Sequence, residues 1–116
     1  RQYKVGYKAA HVFGRLGYYN LLDGGQAYLI VRNFFNNPSA PYAEEPDQLP
    51  GCRGHSIHVY NDDGNAGGFG ELECNAQTIG GETGRSSSTD QFVLWLYLGD
   101  AGKVQEISQH LLGVAL

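Results

Sequence analysis

Residues 89–98 read TDQFVLWLYL, and no other stretch of the 116-residue chain restricts its fold so strongly. In a strand, successive side chains alternate between faces. Phe92, Leu94, Leu96 and Leu98 then line one face, and Val93, Trp95 and Tyr97 the other. A strand that is apolar on both faces has to be covered on both. Residues 27–35 (AYLIVRNFF) make the same demand, because Tyr28, Leu29, Ile30 and Val31 follow one another without a polar break. That run is expected at the centre of a sheet. Residues 15–20 (RLGYYN) precede it, and the linking LLDGGQ carries Asp23-Gly24-Gly25. Glycine enters positive φ without steric cost, so these residues predict a hairpin.

The rest of the chain reads as shorter strands. Residues 2–8 alternate loosely. Residues 55–60 (HSIHVY) alternate His55, Ile57 and Val59 against Ser56, His58 and Tyr60. Residues 70–76 place Leu72 and Cys74 toward a core, while Phe69, Glu71 and Glu73 share the opposite face. Seventeen glycines, eight tyrosines, five phenylalanines and no methionine suit a turn-rich β protein. The chain closes on a helix. Asp100 is placed to cap it, Val104, Ile107, Leu111 and Leu112 form its apolar stripe, and Gly113 is placed to end it. The expectation is a single mainly β domain over residues 1–116, with about six mostly antiparallel strands and one C-terminal helix. One short helix shields only part of one face. A tight sandwich or a second copy has to supply the rest, and a homo-oligomer is the preferred expectation.

Several classes are disfavoured. The net charge is −4, and the eight Lys and Arg are scattered rather than gathered in a stripe, which argues against a nucleic-acid partner. No apolar run approaches the ~20 residues of a membrane-spanning helix. The chain begins at Arg1 with no start methionine, which fits a piece of a longer polypeptide, and any leader would lie upstream. Compartment is left open. Cys52 and Cys74 allow one disulfide or two thiols, without a metal-binding or redox spacing. NDDGNAGG, from Asn61, is a turn and not an EF-hand, since position six is Ala66 and position twelve Leu72. Residues 36–54 hold all four prolines and three acids, a stretch long enough to be a binding loop or a solvated excursion.

The order LGYYNLLDGGQAYLIVRNF, YNDD, GGFGELECNAQTIGGETG, a long strand, and GDAGKVQEISQHLLGVAL resembles the C-terminal portion of an uncharacterised family of galactose-mutarotase-like proteins. The likeness covers most of residues 3–116 and lies in order and spacing. It implies an antiparallel sandwich, the C-terminal part of a β-supersandwich. Such proteins are usually much longer, so the chain corresponds to about their last third.

The resemblance gives Glu71 and Glu73 a meaning. In mutarotases a Leu-Glu strand segment near the C-terminus carries the base that takes the anomeric proton, while a histidine protonates the ring oxygen. Leu72-Glu73 is the matching pair, so Glu73 is the candidate base. The family's catalytic histidine has no counterpart among His11, His55, His58 and His110. His58 is a weak candidate: it shares a strand face with Tyr60 and lies near the glutamate pair if their strands are neighbours. Two carboxylates ~7 Å apart on one face raise each other's proton affinity and accept hydrogen bonds from sugar hydroxyls. Glu71, Tyr60 and Trp95 are the candidate binding residues, and Tyr18 and Tyr19 are further stacking surfaces. No cofactor is implied. The expected ligand is a carbohydrate, bound or epimerised. The alternative is a non-catalytic oligomeric β module, and a metal site from Asp62, Asp63, Glu71 and Glu73 is a distant third.

Overall fold

The computed structural model describes residues 2–42 and 54–116. It is mainly β, with two antiparallel three-stranded sheets and a C-terminal helix. The strands are β1 (Tyr3–Tyr7), β2 (Arg15–Leu21), β3 (Gln26–Phe34), β4 (Ile57–Asn61), β5 (Gly70–Cys74) and β6 (Phe92–Asp100), and the helix is α1 (Ala101–Leu112). The described residues belong to two compact units. One holds Arg1–Phe13 and Phe35–Gln91, the other Gly14–Phe34 and Phe92–Leu116.

The second unit follows the apolar pattern closely. Its strand order is β2-β3-β6, so the run that is apolar on both faces is indeed central. The hairpin pairs Arg15 with Asn33 and Leu21 with Ala27, and a single 3-10 turn, Asp23–Gly25, joins the strands. Ala27, Leu29 and Val31 point to one face, where they and Val104 of α1 form a fully buried cluster. Tyr19, Tyr97, Ile107, Leu111 and Leu112 pack around it. The Asp100 carboxylate accepts the Lys103 N–H at 3.2 Å, and Gly113 takes φ 72° and donates its N–H to Gln109 O. β6 runs straight into this cap. It therefore starts three residues later than the sequence suggests and ends at Asp100, two residues beyond Leu98.

Among the described residues, the opposite face of this sheet has no such cover. Phe92, Leu94, Leu96 and Leu98 are 57, 50, 67 and 71% exposed, and Tyr18 is 47% exposed. The shielding expected on both sides of β6 is partial even on the helix side, where Tyr97 packs against the cluster but Val93 and Trp95 are 52 and 42% exposed.

The first unit is built differently. Its strand order is β1-β4-β5, antiparallel throughout. Among the described residues its buried apolar side chains are few: Ile57, and a separate cluster of Ala9, Ala40 and Tyr42. Side-chain hydrogen bonds do much of the joining. Asn36 Nδ2 donates to the Ala9 and Val12 carbonyls, and the Tyr42 hydroxyl accepts the Asn37 N–H at 2.8 Å. Of the proline-rich stretch, residues 43–53 lie outside the described residues, and with them Cys52 and any roof over a site. No helix among the described residues is long and apolar enough to cross a membrane.

Candidate functional site

The register of the first sheet assembles the polar face. β4 pairs with β5 so that His58 opposes Glu73 and Tyr60 opposes Glu71. β1 pairs with β4 so that Gly6 opposes His58 and Lys4 opposes Tyr60. Directly opposed residues in a sheet share a face. Lys4, His58, Tyr60, Glu71 and Glu73 therefore stand on one side of the sheet. Asp62 and Phe69 extend it by one rung, since Asp62 N–H donates to Phe69 O at 2.8 Å.

Glu73 spans the central strand to meet Lys4, with Nζ 3.4 Å from Oε2. The two side chains are 44 and 35% exposed. The Oε2 atom is buried and accepts no hydrogen bond from the described residues. A partly exposed ion pair of this kind contributes about 0–1 kcal/mol to stability. Glu71 is exposed one rung away.

His58 is buried, and both ring nitrogens are occupied. Asn75 Nδ2 donates to Nδ1 at 2.8 Å and to the His55 carbonyl at 2.7 Å. An amide nitrogen can only donate, so Nδ1 accepts and the ring proton sits on Nε2. That Nε2 faces His55 Nδ1 at 3.2 Å, with the rings edge to face. The His55 imidazole lies against Gly6, where any Cβ would overlap it. A glycine on β1 is therefore a steric requirement of the histidine pair.

Aromatic surface adjoins the acids. Tyr60 and Phe69 have ring centroids 5.6 Å apart and tilted by 45°, and Phe69 is 43% exposed. The Tyr60 hydroxyl accepts from Gln2 Nε2 at 2.7 Å and donates to Asp62 Oδ1 at 3.4 Å. Asp62 Oδ2 collects the N–H groups of Gly64, Ala66 and Gly68 at 2.9, 3.2 and 2.9 Å. These bonds, led by that of Gly68, hold the Asp62 carboxyl below its usual range, against the opposing effect of burial. Asp63 Oδ1 accepts the Asn65 N–H at 3.2 Å. Asp62 and Asp63 thus organise the turn itself, and no group of three or more metal-binding side chains gathers among the described residues.

Of the residues singled out in the sequence, Glu73, Glu71, His58 and Tyr60 come together on this face. Trp95 belongs to β6 of the other unit, where its Nε1 donates to Asn33 Oδ1 at 2.8 Å. Lys4, Gly6, His55 and Asn75 went unrecognised as neighbours of the acids. Only the strand register reveals them.

A carboxylate acting as a base on a sugar needs an acid to return the proton. His58 offers neither nitrogen for that task in this arrangement. The face instead presents hydrogen-bond acceptors, an ammonium group and aromatic rings, the groups that hold a polyol. Comparisons of the chain with protein-family models, with curated proteins and with solved structures find no match.

Proposed function

We propose that this chain is a carbohydrate-binding β protein related to the galactose-mutarotase-like proteins, and that it binds sugars without epimerising them. One observation carries the reading: Glu71 and Glu73 share a sheet face with the tilted Tyr60–Phe69 pair. Carboxylates accept hydrogen bonds from adjacent sugar hydroxyls, and an exposed ring offers the apolar face of a pyranose a stacking surface. Lys4, whose ammonium lies 3.4 Å from Glu73 Oε2, supplies a donor to the same hydroxyls. The alternative, a non-catalytic oligomeric module, rests on a separate observation, the uncovered leucine row of β6.

The test is an amide NMR titration with galactose, glucose and mannose. Saturable shifts at Tyr60, Phe69, Glu71 and Glu73 are expected, with a Kd on the order of 1 mM, as suits a shallow face. Glu71→Gln with Glu73→Gln should weaken binding about tenfold while leaving the remaining amide spectrum in place. Titrations that leave these four amides unmoved with every sugar would remove the proposal. Interconversion of α- and β-galactose above the spontaneous rate would refute the non-catalytic half of it.

A further inference from the structure

We infer that a second copy of this chain pairs with the open edge of β6, antiparallel and centred on Leu96. The inference stands apart from the sugar face, which lies in the other unit.

The edge is identified by backbone direction. Within β3, even-numbered residues bond to β2: Phe34 N–H donates to Gly14 O at 2.9 Å, and Leu22 N–H donates to Gln26 O at 2.8 Å. A central strand alternates its amides between its two neighbours. The odd-numbered residues of β3 therefore bond to β6, where Leu29 pairs with Tyr97 and Val31 with Trp95. That leaves Phe92, Leu94, Leu96 and Leu98 directing their N–H and C=O groups outward from the sheet. Their side chains are the row that stands 57, 50, 67 and 71% exposed. A long apolar edge strand is a template for strand addition unless charge, proline or a bulge blunts it. Phe92–Gly99 carries no charged residue and no proline.

Three features select a second copy as the occupant. The sequence is self-complementary about Leu96: in antiparallel register Leu96 meets Leu96 and Leu94 meets Leu98, each pair bringing two outward-facing amide groups into bonding position. The ends are complementary in charge. Phe92 meets Asp100 of the second copy, and the Arg32 guanidinium lies 4.1 Å from the Phe92 ring centroid on the same face. An Arg32–Asp100 ion pair then forms twice, once at each end, as a two-fold axis requires. Last, a nine-residue strand about 30 Å long buries on the order of 1,000 Å² in total, the threshold for a specific contact, which predicts a dimer in the micromolar range. The two-fold axis runs perpendicular to the sheet, so both α1 helices fall on the same side, away from the leucine row.

Sedimentation equilibrium of the intact chain from about 1 to 500 μM should fit a monomer–dimer equilibrium with a Kd of tens of micromolar. Isotope-filtered NMR on a mixed-label sample should give Leu96-to-Leu96 contacts between copies. Leu96→Lys, at an exposed position, places like charges on the axis and should weaken association more than about tenfold with an unchanged circular dichroism spectrum. Arg32→Glu should weaken it less, and most at low salt. A monomer throughout the concentration range overturns the inference, as does assembly that grows past the dimer or a dimer indifferent to Leu96→Lys. A monomer whose β6 edge takes up a synthetic strand of unrelated sequence assigns the edge to a different partner and overturns it equally.

Discussion

The two sheets have equal strand numbers and are held together by different physics. In β2-β3-β6 a helix lies on one face and seals Ala27, Leu29, Val31 and Val104 from water. In the unit of β1-β4-β5 the buried set includes His58, Asp62 and Gln77, and its order comes from the hydrogen bonds these make with Asn75, with the loop amides of Gly64, Ala66 and Gly68, and with Asn37 and Arg85. Apolar burial is non-directional and tolerates imprecise neighbours. A buried polar network holds only while every member finds its partner. The apolar sheet should therefore fail by cavity formation, and the polar one by single lost partners or protons.

The contrast is broken most forcefully at Leu29, which is 1% exposed. Leu29→Ala should cost about 3 kcal/mol in chemical denaturation, through lost transfer energy and the remaining cavity. Amide exchange should quicken chiefly in β2, β3, β6 and α1. Faster exchange confined to β4 and β5 would erase the distinction between the sheets. Asn75→Ala is the counterpart in the polar sheet. It leaves His58 Nδ1 and the His55 carbonyl without the donor they share, at a cost of about 2 kcal/mol. The exchange signature should now fall on β4 and β5. Asn75→Ser, which retains a donor, should recover part of the loss.

These different origins decide what could be read from the chain. The central place of β3 follows from four consecutive large apolar residues, the helix ends follow from Asp100 and Gly113, and the alternation along β6 follows from its own nine residues. Each is a local pattern with a fixed period. The shared face of Glu71, Glu73, His58 and Tyr60 was half legible: alternation orders the side chains along each strand, but only register decides that His58 meets Glu73. The histidine pair could not be read at all. It depends on Gly6, which lies more than fifty positions before His58 and leaves room for the His55 ring only because β1 pairs with β4 in that register. Asp62 was legible as a turn residue. Its three amide donors arise from the path of the loop, which has no period.

The finest test of the comparison is acid. The amides of Gly68, Gly64 and Ala66, with the Tyr60 hydroxyl, hold the folded Asp62 carboxyl below its ordinary value of 3.8. Between that value and the lower folded one, the unfolded chain binds a proton that the folded chain does not, so stability rises with pH through this window. The Asp62 contribution is accordingly complete above about pH 4 to 5 and is lost as pH falls through the folded value. Protonation also turns Oδ2 from an acceptor of three bonds into a competitor for one, so the loop of residues 62–68 should loosen first. Amide exchange measured at pH 5, 4 and 3 should show Gly64, Ala66 and Gly68 losing protection ahead of Leu29 and Val31, whose burial involves no titrating group. Asp62→Asn, neutral at every pH, should start less protected and lose that acid dependence. If the loop amides and the β3 amides lose protection together in the wild type, acid acts on the whole chain through its other carboxylates and Asp62 has no separate part in it.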